Sequence, residues 1–233
     1  MHSSIGQILS PLLQNILATV LGLIYVFTVV GIMDYLVKKG FPQDLSRKIV
    51  HIAAGSWLIF WIIYDHTHWS KYLNILPAFL WTVLLLIKGF FAKPDDEAVK
   101  TMTRTGDRKE LLKGPLFFTI VMDIMGTIFF YQPVAMTSMG LLGCGDGLAP
   151  VFGKKYGKHK YNIVTEKSIE GSLAFLIFGI FGAAVFHLIL SGEVEITKLM
   201  LCAVVATIVE ALSPKDIDNF LIPITCLIFY QLY

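Results

Sequence analysis

The sequence predicts an all-α fold, a polytopic membrane bundle with about eight (seven to eight) transmembrane helices. Three observations predict it. Hydrophobic residues make up 55% of the 233 positions and charged residues only 15%, against about 25% charged in soluble domains. That surplus exceeds what a core surrounded by water can bury. The apolar residues also fall into runs long enough to cross a bilayer, roughly 17–25 residues each. Finally, lysines and arginines divide very unequally between alternate connections, as they do across a membrane.

The runs lie near 12–33, 49–64, 72–91, 114–132, 134–152, 169–191, 197–212 and 217–233. The first has neither a charged leader region nor a small-residue cleavage site before it, so it reads as a retained span. Glycines interrupt the fifth. With the N-terminus outside, every lysine and arginine except Lys71 and Lys198 falls on the inner side. Losing one crossing would scramble all later loops, so the charge split checks the count. Two inner loops, 92–113 and 153–168, hold much of the polar sequence, and 1–233 reads as one membrane-embedded domain. Cys144, Cys202 and Cys226 are odd in number and show no CxxC spacing, which argues against a disulfide framework or a zinc site.

This topology gathers awkward residues at one depth. Asp146 sits near the inner end of the fifth span and Glu210 near that of the seventh. Asp216, Asp218 and Asn219 open the eighth. His51 follows Arg47 by one turn on the same face of the second span, with Lys48 beside them. Asp107 and Arg108 lie in the long loop, and the lysines from Lys154 to Lys167 in the next. A carboxylate at membrane depth costs about 2.5–3.5 kcal/mol on insertion scales, and such groups mark functional sites by default. Asp123, halfway along the fourth span, fits a buried structural partner as well as a site lining.

Taken singly, other features have plainer readings. The ladder Gly145, Ala149, Gly153, Gly157 is the small-xxx-small pattern of packed membrane helices, and the lysine run suits anionic headgroups. Together they suggest more. Glycine-rich backbone flanked by lysines can cradle phosphates. Asp146 just before it could hold Mg²⁺, which takes one or two carboxylates plus phosphate oxygens. Phosphoryl transfer needs positioning, charge neutralisation and a carboxylate to orient the hydroxyl. No GxxxxGK[ST] loop occurs.

The stretch "GDGLAPVFGKKYGKHKYN" followed by "KSIEGS" resembles the D-x-x-A-x-x-x-G-x-x-x-G … K-[ST]-x-E-G-[ST] block of the polyprenol kinase family, which includes phytol and dolichol kinases. "SRKIVHIAAG", "TRTGDRKELLKGPL" and "VEALSPKDIDNFLIP" extend the similarity over nearly the whole chain. The resemblance implies CTP as donor, because the central block is shared with phosphatidate cytidylyltransferases. It also implies Asp146 as metal ligand or catalytic carboxylate. Gly145, Gly153, Lys154, Lys155, Gly157, Lys158 and Lys167 would contact the nucleotide phosphates, with Glu170 and Gly171 closing the loop. Arg47, Lys48 and His51 would line the same site. Asp107, Arg108, Glu210, Asp218 and Asn219 would join it, Glu210 and Asp107 as catalytic candidates and Asp218 as a second metal ligand.

The expectation is therefore an enzyme that moves a phosphoryl group from CTP, with Mg²⁺, onto a membrane isoprenoid alcohol at the cytoplasmic face. Cytidylyl transfer to phosphatidic acid and CTP-dependent diacylglycerol phosphorylation are the rival chemistries. The chain lacks the His-Gly-Gly and Asp-Arg ending of the cytidylyltransferases, which favours a kinase. A small ion-coupled transporter using Asp146, Glu210 and Asp123 is the non-enzyme alternative, but the charges cluster on one side rather than through the bilayer depth.

Overall fold

The computed structural model describes residues 9–93 and 95–232. The last residue of the expected eighth span lies outside the described residues, as do the first eight positions, on which the retained-span reading partly rests. Among the described residues, the helices join end to end into eight rods. The first is α1 (Pro11–Lys38), opened by Pro11 and capped by Ser10 Oγ, which accepts from Leu13 N–H. The second is α2 (Gln43–Gly55), tightening into a 3₁₀ stretch over Ser56–Ile63. A 3₁₀ segment, Trp69–Ile75, leads into α3 (Leu76–Phe91). After the short α4 (Glu97–Met102), a 3₁₀ turn at Arg108–Leu112 precedes α5 (Gly114–Ile128).

The fifth rod is α6 (Pro133–Gly140), a π-helical turn (Leu141–Asp146) and α7 (Gly147–Tyr156) without a break. A hairpin of β1 (Lys160–Asn162) and β2 (Glu166–Ser168) follows, antiparallel with Tyr161 opposite Lys167. The remaining rods are α8 (Ile169–Leu190), α9 (Ile196–Leu212) and α10 (Asp218–Leu232). Four helical segments, Pro11–Lys38, Trp69–Phe91, Arg108–Ile128 and Ile169–Leu190, are long and apolar enough to cross a membrane.

The rods run alternately between two ends. At one end Asn15 donates to Ser70 Oγ at 2.8 Å, and Trp57 Nε1 donates to the Asn74 carbonyl at 3.0 Å. Tyr131 donates to the Leu190 carbonyl at 2.6 Å, and Thr137 meets both His187 and Tyr230. Lys71 and Lys198 belong here, Lys198 over the Tyr230 ring. At the other end Thr101 bonds Asp34, Arg104 pairs with Asp216 at 3.3 Å, and Lys167 reaches Glu210. The charge asymmetry of the sequence is thus an asymmetry of the two ends.

The interior is mainly apolar, as in a water-soluble bundle, but the exterior is apolar as well. On α1 the buried face carries Gln14, Asn15 and Thr19, while Ile24 is 58% and Phe27 51% exposed. Contiguous apolar faces of this kind suit lipid rather than water. Without a hydrophobic drive between helices in lipid, small residues at the seams let backbones approach. The seam between the fifth rod and α8 shows it. A Cβ on Gly140 would fall inside the Ala183 backbone, one on Gly145 would sit 2.9 Å from the Phe175 carbonyl, and one on Gly182 2.6 Å from Cys144 Sγ.

Gly140→Ala is expected to lower stability by about 1–3 kcal/mol, the usual cost of overpacking. Gly31→Ala, where a Cβ meets nothing within 4 Å, is expected to be neutral or to stabilise by up to about 1 kcal/mol. Thermal unfolding of the two variants in detergent checks the contrast; equal melting temperatures would contradict the seam.

Candidate active site

A cavity of about 520 Å³ opens at the charged end. Helix α2, the fifth rod, the hairpin and the start of α8 enclose most of it, with Glu210 of α9 and Asp218 of α10 opposite. Asp146 sits at its heart, on the last residue of the π-helical turn. Such turns insert one extra residue and recur at functional sites.

Local sequence explains how Asp146 is held. Four residues on, Pro150 has no N–H to return to the Asp146 carbonyl. Lys48 takes that carbonyl instead, its Nζ donating at 3.0 Å and lying 3.5 Å from Asp146 Oδ2. His51, one turn along α2, places Nε2 3.0 Å from the Leu142 carbonyl and 3.4 Å from Asp146 Oδ2. A carbonyl only accepts, so Nε2 carries the hydrogen. Phe118 packs against the imidazole at a centroid distance of 4.0 Å, the rings tilted by 34°.

Two more carboxylates face Asp146. Lys167 donates to Glu210 Oε1 at 2.6 Å and also to the Glu210 carbonyl. Asp218 accepts from the Asn219 N–H at 3.0 Å. One oxygen from each of Asp146, Glu210 and Asp218 lies within 4.8 Å of the others. Carboxylates this close repel unless cations stand among them, and Lys48 and Lys167 supply only part of the balance. Two buried oxygens, Glu210 Oε2 and Asn219 Oδ1, find no hydrogen-bond partner among the described residues. An all-oxygen set with unsatisfied members fits a hard divalent cation such as Mg²⁺.

The rim is basic. Asp44 bridges Lys154 and Arg47 at the cavity mouth, the latter at 3.3 Å. The Lys154 ammonium beside Asp44, with help from Arg47, holds its carboxyl below the usual range. The N-terminus of α8 opens into the cavity, with Ser168 Oγ accepting from Gly171 N–H at 3.1 Å. Helix N-termini attract phosphate oxygens.

The residues expected from the sequence therefore separate. Arg47, Lys48, His51, Asp146, Gly153, Lys154, Lys167, Gly171, Glu210, Asp218 and Asn219 all line the cavity. Gly145 and Gly157 are at contacts with Phe175 and Ser168 instead. The ladder lies in continuous helix up to Tyr156, so its N–H groups serve the helix ladder and its glycines serve the seam with α8. Lys155 lies over the Tyr156 ring, and neither it nor Lys158 lines the cavity. Glu170 bonds His159 at 2.7 Å and braces the preceding loop. Asp107 caps its own 3₁₀ turn at Lys109 N–H, and Arg108 donates to the Ala92 carbonyl; both lie off the cavity lining. Asp123 accepts from Thr82 at 3.0 Å, also away from it. Asp44, Thr165 and Trp81 line the cavity without having been singled out. Only Asp44 carried a signal, its place three residues before Arg47 on one helical face.

Curated relatives match along almost the whole chain. A "Probable phytol kinase, chloroplastic" from Triticum aestivum is 31% identical over 96% of this chain and 79% of its own length. "Phytol kinase 1, chloroplastic" from Arabidopsis thaliana is 30% identical over 94% of this chain and 76% of its own. "Probable phytol kinase 1, chloroplastic" from Oryza sativa subsp. japonica is 30% identical, over 95% and 75% respectively. No family model and no solved structure matches.

Removing one member of a buried ion pair leaves its partner uncompensated. Lys48→Met is expected to cost about 3 kcal/mol of stability on that ground, whereas Lys155→Met stays within about 0.5 kcal/mol, as exposed substitutions do. Thermal unfolding of the two variants in the same detergent measures both, and a tolerated Lys48→Met would show that Asp146 does not depend on it.

Proposed function

Because the chain belongs to the phytol kinase family, we propose that it transfers the γ-phosphoryl group of CTP to the hydroxyl of a membrane isoprenoid alcohol. One observation carries the reading: three converging carboxylates with an unsatisfied oxygen lie under a basic rim, in a cavity that is also lined by the apolar Val50, Ala54 and Trp81. A phosphate donor needs the first half and a lipid alcohol the second. We place this end of the bundle on the cytoplasmic side, following the positive-inside bias of its loops.

The nucleotide's phosphates lie against Lys154, Lys167, Arg47 and the start of α8, whose dipole adds to the lysines. Lys167 also restrains Glu210 through Oε1, while Oε2 is buried without a hydrogen-bond partner among the described residues and needs one in the reacting complex. That oxygen accepts the alcohol's proton as the alcohol oxygen bonds to the γ-phosphorus. The bond from that phosphorus to the bridging oxygen breaks, and CDP departs. Asp146 and Asp218 are the side chains that would hold Mg²⁺, which would supply positive charge to neutralise phosphate oxygens. Lys48 and His51 keep Asp146 in place.

CTP labelled separately at the α- and γ-phosphates, incubated with purified protein, Mg²⁺ and phytol, is expected to put only γ label into lipid. Label from the α position would instead mean cytidylyl transfer. Glu210→Gln keeps the shape of the side chain but not its basicity. It is expected to lower turnover by about 10²–10⁴-fold, the range of general-base catalysis, with the KM for CTP nearly unchanged. Undiminished turnover would remove Glu210 from the proton transfer.

A further inference from the structure

Trp81 of α3 borders three adjoining voids. One is the cavity just described. The second is a slot of about 20 Å³ walled by Val26 and Val29 of α1, Ala53 of α2 and Met122 of α5. The third is an open groove of about 730 Å³ between α1 and α3, apolar at Phe27, Val30, Leu84 and Phe91 and charged at Asp34, Lys88, Lys93, Asp95, Asp96 and Glu97. Val50, Ala54, Trp81 and Thr119 belong to both cavity and slot, and Val30 and Trp81 to both slot and groove. The three voids therefore form one line from the groove between α1 and α3, through the apolar slot, to the carboxylates. Polarity changes sharply along it. Lys48 and His51 face Asp146, and Ala54, about 4.5 Å further along α2, begins the apolar wall.

Building on the kinase reading, we propose that the isoprenoid tail of the acceptor enters sideways between α1 and α3 and lies in this slot, with Val26 and Met122 reading its length and Trp81 dividing the slot from the groove. The lining is too apolar and too narrow for a nucleotide. At about 20 Å³ the slot admits roughly one water, so Trp81 turns aside for a tail to pass. Its ring belongs to the buried cluster with Val30, Val50 and Leu85, and meets Phe27, which lines the groove, edge-on at 5.9 Å between centroids. The line ends beside Asp146, where a terminal hydroxyl would meet the carboxylates while the tail stays among apolar side chains.

A photoreactive isoprenoid alcohol with a diazirine near its tail end tests the route on the unmodified protein in lipid nanodiscs. Label is expected on peptides of α1 and α3 around Val26 and Trp81, and unlabelled phytol should compete it away. Turnover of the probe with label confined to the outer faces of α9 and α10 would overturn the route while leaving the kinase reading standing. A wild-type protein that phosphorylates no lipid alcohol would overturn both. Val26→Phe provides a second measure. The ratio of kcat/KM for a twenty-carbon to a ten-carbon alcohol should fall about tenfold, the scale on which apolar pockets sort methylene groups, with the KM for CTP unchanged. An equal effect on both alcohols would contradict length reading by the slot.

Discussion

The site depends on one clamp, the Lys48 ammonium on the carbonyl and carboxylate of Asp146. It joins the second rod to the fifth across the bundle and holds a negative charge where lipid surrounds the protein. The clamp exists because Pro150 cannot return a hydrogen bond to that carbonyl, so a helix defect becomes a binding site for a lysine. An isolated carboxylate here would be expensive. Paired from one side by Lys48 and His51, and near Lys167 on the other, it can stay ionised and still face an open cavity.

Around that clamp the bundle divides its labour. Glycines along the fifth rod and α8 bring two backbones together, and this seam sets where α8 begins and hence where its N-terminus and Lys167 point. The hairpin carries Lys160, Thr165 and Lys167 over the cavity, so the basic cover is a local excursion rather than part of the rods. Further along α2 and on α3, Val50, Ala54 and Trp81 give the cavity an apolar lining. A cavity with one wet and one greasy half suits a reaction between a soluble donor and an acceptor that never leaves the membrane.

Much of this was legible in the sequence, because membrane proteins announce themselves through coarse quantities. Hydropathy and the placement of lysines and arginines located the eight rods and the charged end. Asp146 and Glu210 stood out because carboxylates are costly at that depth, Asp218 came in through its place at the start of the eighth span and the family resemblance, and the structure brings the three within one cluster. What remained hidden depends on helical phase and on contacts distant in sequence. The glycine ladder read by itself as a packing seam and, with the lysines beside it, as a phosphate cradle; the contacts with the partner helix α8 show the seam. Lys48 and Arg47 are adjacent in sequence, yet a rotation of about 100° between neighbours sends one to Asp146 and the other to Asp44. Asp107 and Arg108 looked like site residues by their company, but their side chains are spent on capping a turn and tying down the Ala92 carbonyl. Trp81 carries no charge and no motif, so nothing but position marks it.

The other end of the molecule has a consequence of its own. There Asn15, Asn74, Tyr131, Thr137, His187 and Tyr230 knit neighbouring rods together through side-chain hydrogen bonds. Side-chain hydrogen bonds tie the rods to one another at this end, whereas the cavity opens at the other. On the proposed chemistry, donor and lipid headgroup both reach the carboxylates from the cavity end, so a freshly phosphorylated lipid carries its new charge on the face of the bilayer where it was made.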